Sequence, residues 1–263
     1  MDLYSDLKTK KAVVTGAGGV IGRWIGEILQ DAGCTLCLTD RDPAALESRA
    51  AEMKPSGGSF TQAADLTDEA SIEALIAAVG KRWGAADILV NNAGIYPSGF
   101  LLDISTAEYD RIFAINLRAP FILTRGIAIQ MIRKGVKGSI INISSGASRK
   151  MRRTAVPYCT SKTALDRLTK GFAIELAEYG IRANTLEPGF APGSAVSELT
   201  DDHVRNTLAQ IPLGRQSSRE DVGHALLYLA SDASGYVTGS TLSVDGGNSI
   251  GSLAVHQDKK KAL

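Results

Sequence analysis

Residues 11–22 read KAVVTGAGGVIG, a short β-branched run that breaks into four glycines and then into a helical pattern carried by Ile21, Ile25, Ile28 and Leu29. A strand that passes through a glycine turn into an amphipathic helix is the opening unit of a doubly wound α/β sheet. Gly16, Gly18, Gly19 and Gly22 let the backbone turn tightly and approach a ligand. The amides at the start of the helix, at Val20, Ile21 and Gly22, lack partners one turn back and suit a pyrophosphate. The next strand-like run, CTLCLT at 34–39, leads into Asp40, 18 residues after Gly22. A carboxylate there can accept from both ribose hydroxyls of a dinucleotide and repels a 2′-phosphate, so NAD is expected ahead of NADP. Arg41 directly follows and partly offsets that repulsion, which keeps NADP as the alternative.

Working outward, DILV at 87–90, SIINIS at 139–144 and TLSV at Thr241–Val244 continue the alternation of short apolar runs with helix-length segments. The segment near 71–83 puts Ile72, Leu75, Ile76 and Val79 on one stripe, and the segment near 160–179 does so with Leu165, Leu168, Phe172 and Leu176. Strict alternation implies parallel strands joined by right-handed crossovers, with helices on both faces. We therefore expect a single α/β domain over 1–250, a doubly wound Rossmann sheet. The weakly patterned connection 189–218 would act as a lid over a pocket, and 251–263 would be a solvated tail.

Composition agrees with that reading. The 263 residues are 44% apolar and 22% charged, as in a globular domain and unlike disordered or collagenous chains. A formal charge of +1 gives no general attraction to nucleic acid or an anionic bilayer, so neither is expected as a partner. No run of 18 uninterrupted apolar residues occurs, and the first ten residues do not pair a basic region with an apolar one, so a cytoplasmic location is expected. Cys34, Cys37 and Cys159 show no repeated spacing and read as reduced core thiols. The three histidines offer no ligand spacing, and no metal is expected.

Tyr158 and Lys162 stand four residues apart at a helix start, so they share one face and their polar ends can meet a common ligand. A phenol is a poor base at neutral pH, and a nearby ammonium is expected to favour the phenolate. That pairing suits proton transfer to and from an alcohol.

From about residue 8 to 247 the chain resembles the classical short-chain dehydrogenase/reductase family. The likeness rests on TGAGGVIG, ADL at 64–66, NNAG at 91–94, Asn116, Tyr158 with Lys162, PG at 188–189, and the closing series IPLGR, EDV, YLASD, YVTG and VDGG. The resemblance implies an NAD(P)-dependent enzyme interconverting a secondary alcohol and a ketone, commonly a homotetramer. It assigns Asp65 and Leu66 to the adenine, and Asn92, Ala93, Gly94, Pro188, Gly189 and Ala191 to the dinucleotide site. It makes Tyr158 the general acid/base and has Lys162 lower its pKa and hold the nicotinamide ribose. It also selects Ser145, 13 residues before the tyrosine, to bond the carbonyl oxygen. Asn116 would sit at a helix distortion that anchors a water leading to Lys162.

Three positions depart from the family pattern. Val20 stands where glycine is usual, although TGxxGxxG is satisfied through Gly16, Gly19 and Gly22. Gly193 replaces the threonine that would bond the carboxamide, with Ser194 as the substitute. Glu187 precedes PG, where it would contact a hydroxyl-rich substrate or pair with a neighbouring cation. The basic run SRKMRR at 148–153 lies between the serine and the tyrosine. Its Arg149, Arg152 or Arg153 would draw in an acidic substrate or an acidic carrier protein, or the run would form a solvated or intersubunit charge run. Tyr96 and Phe190 complete the expected pocket. Two other functions fit less well: an NADPH-dependent 3-oxoacyl thioester reductase, opposed by Asp40, and a nucleotide-sensing protein without turnover, whose mark would be loss of the serine, tyrosine or lysine.

Overall fold

The computed structural model describes residues 4–193 and 200–253. Seven parallel strands form one sheet: β1 (Lys11–Thr15), β2 (Thr35–Thr39), β3 (Phe60–Thr61), β4 (Ile88–Asn91), β5 (Ser139–Ile143), β6 (Arg182–Pro188) and β7 (Thr241–Val244), in the order 3-2-1-4-5-6-7. The order reverses between β1 and β4, which pair through Val14 and Val90. Ligands of such sheets bind in the crevice at that reversal, outside the carboxyl ends of the strands.

The helices are α1 (Val20–Asp31), α2 (Pro43–Met53), α3 (Glu69–Trp83), α4 (Thr106–Phe113), α5 (Ala119–Lys134), α6 (Val156–Leu176), α7 (Asp201–Leu208) and α8 (Arg219–Ala230). Alternate strand residues feed two cores. Ala12, Val14, Ile141 and Ile143 meet α1 and α8 on one face, while Val13, Leu89 and Ile140 meet α3, α5 and α6 on the other. The expected stripe on α3, Ile72 to Val79, is buried throughout. On α6 the buried line is Leu165, Thr169, Ala173 and Leu176, with Leu168 and Phe172 at its margin.

The structure shifts several expected boundaries. Cys34 closes the turn after α1 through its amide on the Leu29 carbonyl, 2.9 Å, so β2 starts one residue later. It lies in one core and Cys37 in the other, and burial pushes both thiols up to about 12, which keeps them neutral. β3 and β6 have no counterpart among the apolar runs read from the residues. Between 189 and 218 the connection carries α7, whereas residues 194–199, Ser194 among them, and the tail 254–263 lie outside the described residues.

From Thr106 to Lys134 the chain is helical for 29 residues, and by length and composition this segment could cross a membrane. Here it is a core helix packed on α3 and α6. It widens into a π-helical turn at Ala114–Arg118.

Candidate active site

The crevice at the β1–β4 reversal is built for a close approach. Gly16 has φ of +66°, a conformation that L side chains rarely adopt. A Cβ on Gly22 would stand 2.0 Å from the Gly16 carbonyl oxygen. The tight contact thus falls at Gly22 rather than at residue 20, and Val20 is accommodated half-buried at the first turn of α1. The N-cap of α1, Gly19, has no side chain to cap the helix, so among the described residues the first amides remain available to an anion.

Asp40 reaches back to the turn, one carboxylate oxygen accepting from the Gly18 amide at 3.0 Å and the other from the Arg41 amide at 2.7 Å. The Arg41 side chain is exposed beside it. Ala64 donates to the Asp40 carbonyl, which brings the 64–66 segment alongside. Asp65 accepts from the backbone and hydroxyl of Thr67, and these bonds hold its carboxyl below the usual range. Leu66 packs against the α3–α5–α6 core. These features fit an adenine dinucleotide: a cradle without Cβ atoms, unspent helix amides, and a carboxylate at the end of β2.

Thr15 was not among the expected site residues, yet its Oγ1 accepts from the amides of both Asn92 and Ala93 at 3.0 Å. Asn92 returns its Nδ2 to the carbonyls of Thr15 and Gly16. Its side chain therefore braces the glycine turn against β4 and has no donor left for a ligand. A threonine closing β1 was the available signal for this brace.

At the carboxyl end of β5, Ser145 caps a short turn through its Oγ, which accepts from the Ala147 amide at 3.2 Å, and its hydroxyl acts on the Tyr158 phenol in favour of the phenolate. Ser144 points elsewhere, its hydroxyl buried without a partner among the described residues. α6 begins just before Tyr158 because Pro157 fits a first helical turn. Lys162, one turn on, is 4% exposed and donates from Nζ to the Ile143 carbonyl at 2.8 Å.

The electrostatics differ from the sequence expectation. Burial pushes the Tyr158 phenol above its ordinary value, opposed by the Ser145 hydrogen bond and the charge of Arg152. The Lys162 Nζ lies 6.0 Å from the Tyr158 ring centroid and makes its hydrogen bond to Ile143. Its own burial, moreover, brings it down to about 8. An unfolded lysine titrates near 10.4, so between about pH 8 and 10.4 the unfolded chain binds more protons at this residue and its contribution to stability rises with pH. The melting temperature of wild type relative to Lys162→Met should therefore increase from pH 7 to 9.5. A constant difference across that range would contradict the burial of a weakened ammonium.

The π turn points Asn116 inward, 0% exposed. Its Oδ1 accepts from the Ile95 amide and its Nδ2 donates to the Ile95 carbonyl, both at 2.9 Å. Nδ2 also donates to Ser161, whose hydroxyl bonds the Tyr158 carbonyl at 2.7 Å. Ser161 had no sequence signal. A Cβ on Gly94 would meet both Asn116 Oδ1 and Lys162 Nζ at 3.4 Å, so these groups share one small space.

Around this centre lie Tyr96, its ring centroid 5.9 Å from that of Tyr158, and the half-buried Pro188, Gly189, Phe190 and Ala191. Gly189 packs against Asp245, and Phe190 accepts from the Ser217 amide. Glu187 is 0% exposed. It accepts from Ser148 at 2.9 Å, and from Arg149 and Ser243 at 2.5 Å each. Of its two expected roles, the structure shows the ion pair. Arg149 is correspondingly turned inward to Glu187, Ser243 and Ser249 rather than towards a substrate. Arg153 covers the Phe100 ring at 5.1 Å, and Arg152 is exposed.

Comparison with known proteins places this arrangement. A family model described as Enoyl-(Acyl carrier protein) reductase matches residues 16–249. Sorbitol dehydrogenase of Cereibacter sphaeroides is 33% identical, covering 92% of this chain and 98% of the relative. L-xylulose reductase of Homo sapiens is 36% identical, covering 94% and 98%. Among solved structures, a gluconate 5-dehydrogenase from Burkholderia cenocepacia J2315 in complex with NADP and tartrate superposes with a TM-score of 0.85 at 32% identity, covering 92% and 96%. A short-chain type dehydrogenase/reductase from Mycobacterium marinum gives 0.87 at 33%, covering 94% and 98%. The chain belongs to the classical short-chain dehydrogenase/reductase family and is an NAD(P)-dependent oxidoreductase of secondary alcohols and ketones.

Proposed function

We propose that the enzyme acts on a small polyhydroxylated alcohol or its ketone, with Tyr158 as the catalytic acid/base and NAD as the preferred cofactor. The observation that carries this reading is that the Tyr158 phenol feels the Ser145 hydroxyl at the carboxyl end of β5, with Lys162 one turn further along α6. When bound, the dinucleotide supplies or accepts the hydride at the carbinol carbon. The amides of Val20, Ile21 and Gly22 and the carboxylate of Asp40 would hold its pyrophosphate and ribose, with Arg41, Asp65 and Leu66 bordering the adenine.

In reduction the Tyr158 hydroxyl gives its proton to the substrate oxygen, and in oxidation the phenolate takes it. Ser145 steadies that oxygen through a second hydrogen bond. Lys162 stands where its amine can exchange a proton with the phenol side of the site, and Asn116 is a positioning residue that locks the Ile95 backbone beside it. The polyol and sugar-acid names of the relatives support the substrate class. Burial of hydrophobic helix faces such as Leu117 and Phe121 against a second copy would make the enzyme a homo-oligomer, and a cytoplasmic setting suits its unpaired buried thiols.

Two of the solved neighbours carry NADP in their descriptions. The NAD reading for this chain rests on Asp40, and its test is direct. Wild type should favour NAD over NADP in kcat/KM, and Asp40→Ala should cut the NAD value about 10–100-fold, the worth of a charge-assisted hydrogen bond of about 1.5–3 kcal/mol. A wild type that prefers NADP would refute the cofactor assignment and leave the hydride-transfer reading standing.

A further inference from the structure

The basic run between Ser145 and Tyr158 divides its charges unequally. Arg149 is neutralised by the buried Glu187 and bonds Ser243 and Ser249 as well. Lys150 donates to the Asn248 carbonyl at 2.5 Å, and the Arg153 guanidinium lies on Phe100. Among the described residues, Arg152 alone of these cations has no side-chain hydrogen bond, ion pair or ring contact. It is also exposed.

The backbone carrying it is fastened on both sides. Thr163 bonds the Ser148 carbonyl, the Gly99 amide bonds the Thr154 carbonyl at 2.9 Å, and the Ala155 amide bonds the Arg152 carbonyl at 3.1 Å. Thr154 is held at φ +66°, a conformation that a β-branched residue adopts only when its surroundings impose it. The fold thus goes to some length to present one uncompensated guanidinium four residues before α6 begins. We propose that Arg152 receives a carboxylate carried by the substrate close to its carbinol carbon, so that the substrate is a hydroxy acid of the sugar-acid type.

This rests on the Tyr158 reading and narrows its substrate. A guanidinium fork matches a carboxylate in shape and charge. The anion is placed near the reacting carbon because Arg152 stands on the fastened turn that leads directly into the first turn of α6, where Tyr158 lies. The phosphates of a carrier-bound thioester, at the far end of a pantetheine arm, would not share that space with the reacting carbonyl.

D-gluconate and D-sorbitol form a suitable pair of probes, since they share a six-carbon polyol backbone and differ at one terminus. The ratio of kcat/KM for gluconate over sorbitol should exceed one in wild type. It should fall about 10–100-fold in Arg152→Ala, most of it through KM, and recover in part in Arg152→Lys. Taking the ratio cancels any effect of the Arg152 charge on the Tyr158 phenol, which both substrates share. A wild type that favours sorbitol or oxidises neither, or a ratio unchanged in Arg152→Ala, overturns the proposal. The acid/base reading fails separately, if Tyr158→Phe retains turnover of whichever substrate the wild type accepts.

Discussion

Tyr158→Phe is expected to lower kcat by about 10²–10⁴-fold, the usual worth of a positioned proton donor, while leaving dinucleotide affinity within about twofold of wild type. The expected separation follows from the layout of the site. The groups placed for the dinucleotide, the glycine turn and Asp40, sit on β1, α1 and β2, and Lys162 makes its hydrogen bond to Ile143 rather than to the phenol. Phenylalanine preserves the ring that faces Tyr96 and removes only the hydroxyl, the group on which Ser145 acts. Stopped-flow hydride transfer and a fluorescence titration of NADH would measure the two quantities independently. Turnover that survives the substitution would remove Tyr158 from the chemistry.

Arg149→Ala should be more damaging to stability than Glu187→Gln, although both break the same pair. Glu187 is 0% exposed and Arg149 is 42% exposed, so the order of cost follows from which charge is left stranded. Without the arginine, a carboxylate remains buried with only the Ser148 and Ser243 hydroxyls to stabilise it. Loss of one partner of a buried pair costs about 3–5 kcal/mol, here towards the lower figure because Arg149 is partly hydrated. For a chain of this length that corresponds to a fall in Tm of about 6–12 °C. Glutamine can accept from Ser243 and donate to a reoriented Ser148 hydroxyl, and the guanidinium left behind can turn to water, so its cost should be about 1 kcal/mol. Equal losses, measured by thermal unfolding at neutral pH, would mean that the pair contributes little to the fold.

The comparison of sequence with structure divides along the range of the interactions involved. β1 and α1 were legible because the glycines, the apolar spacing and Asp40 lie within about 30 residues and each reports on local backbone. β6 was not. Its RANTLEP reads as polar, yet Arg182 donates to the carbonyls of Leu229 and Ser231, and Asn184 bonds Val237 and Ser240. These partners stand some 50 residues away, and no periodicity within the strand could announce them. Two residues of β3 offered too little pattern to recognise.

The site shows the same division. The helical spacing placed Tyr158 and Lys162 together, and the family likeness chose Ser145 over Ser144. Spacing could not foresee that Lys162 would turn to Ile143 and lose part of its charge to burial. Nor could it tell which arginine of the basic run would be consumed by Glu187, because that depends on how β6, β7 and the 145–148 turn converge.

The widened turn at Ala114–Arg118 sets the phase of everything that follows it in α5. An α-helix advances about 100° per residue. The wide turn absorbs one extra residue, so removing that residue would restore regular winding with Ile122, Leu123 and Ile127 still on the sheet, whereas adding one to the regular helix after Arg118 would turn them away and bring Arg125 round. A one-codon insertion just after residue 118 should therefore be far more damaging to folding than a one-codon deletion between 114 and 118, which would keep the sheet contacts of α5 and forfeit the Asn116 bonds to Ile95.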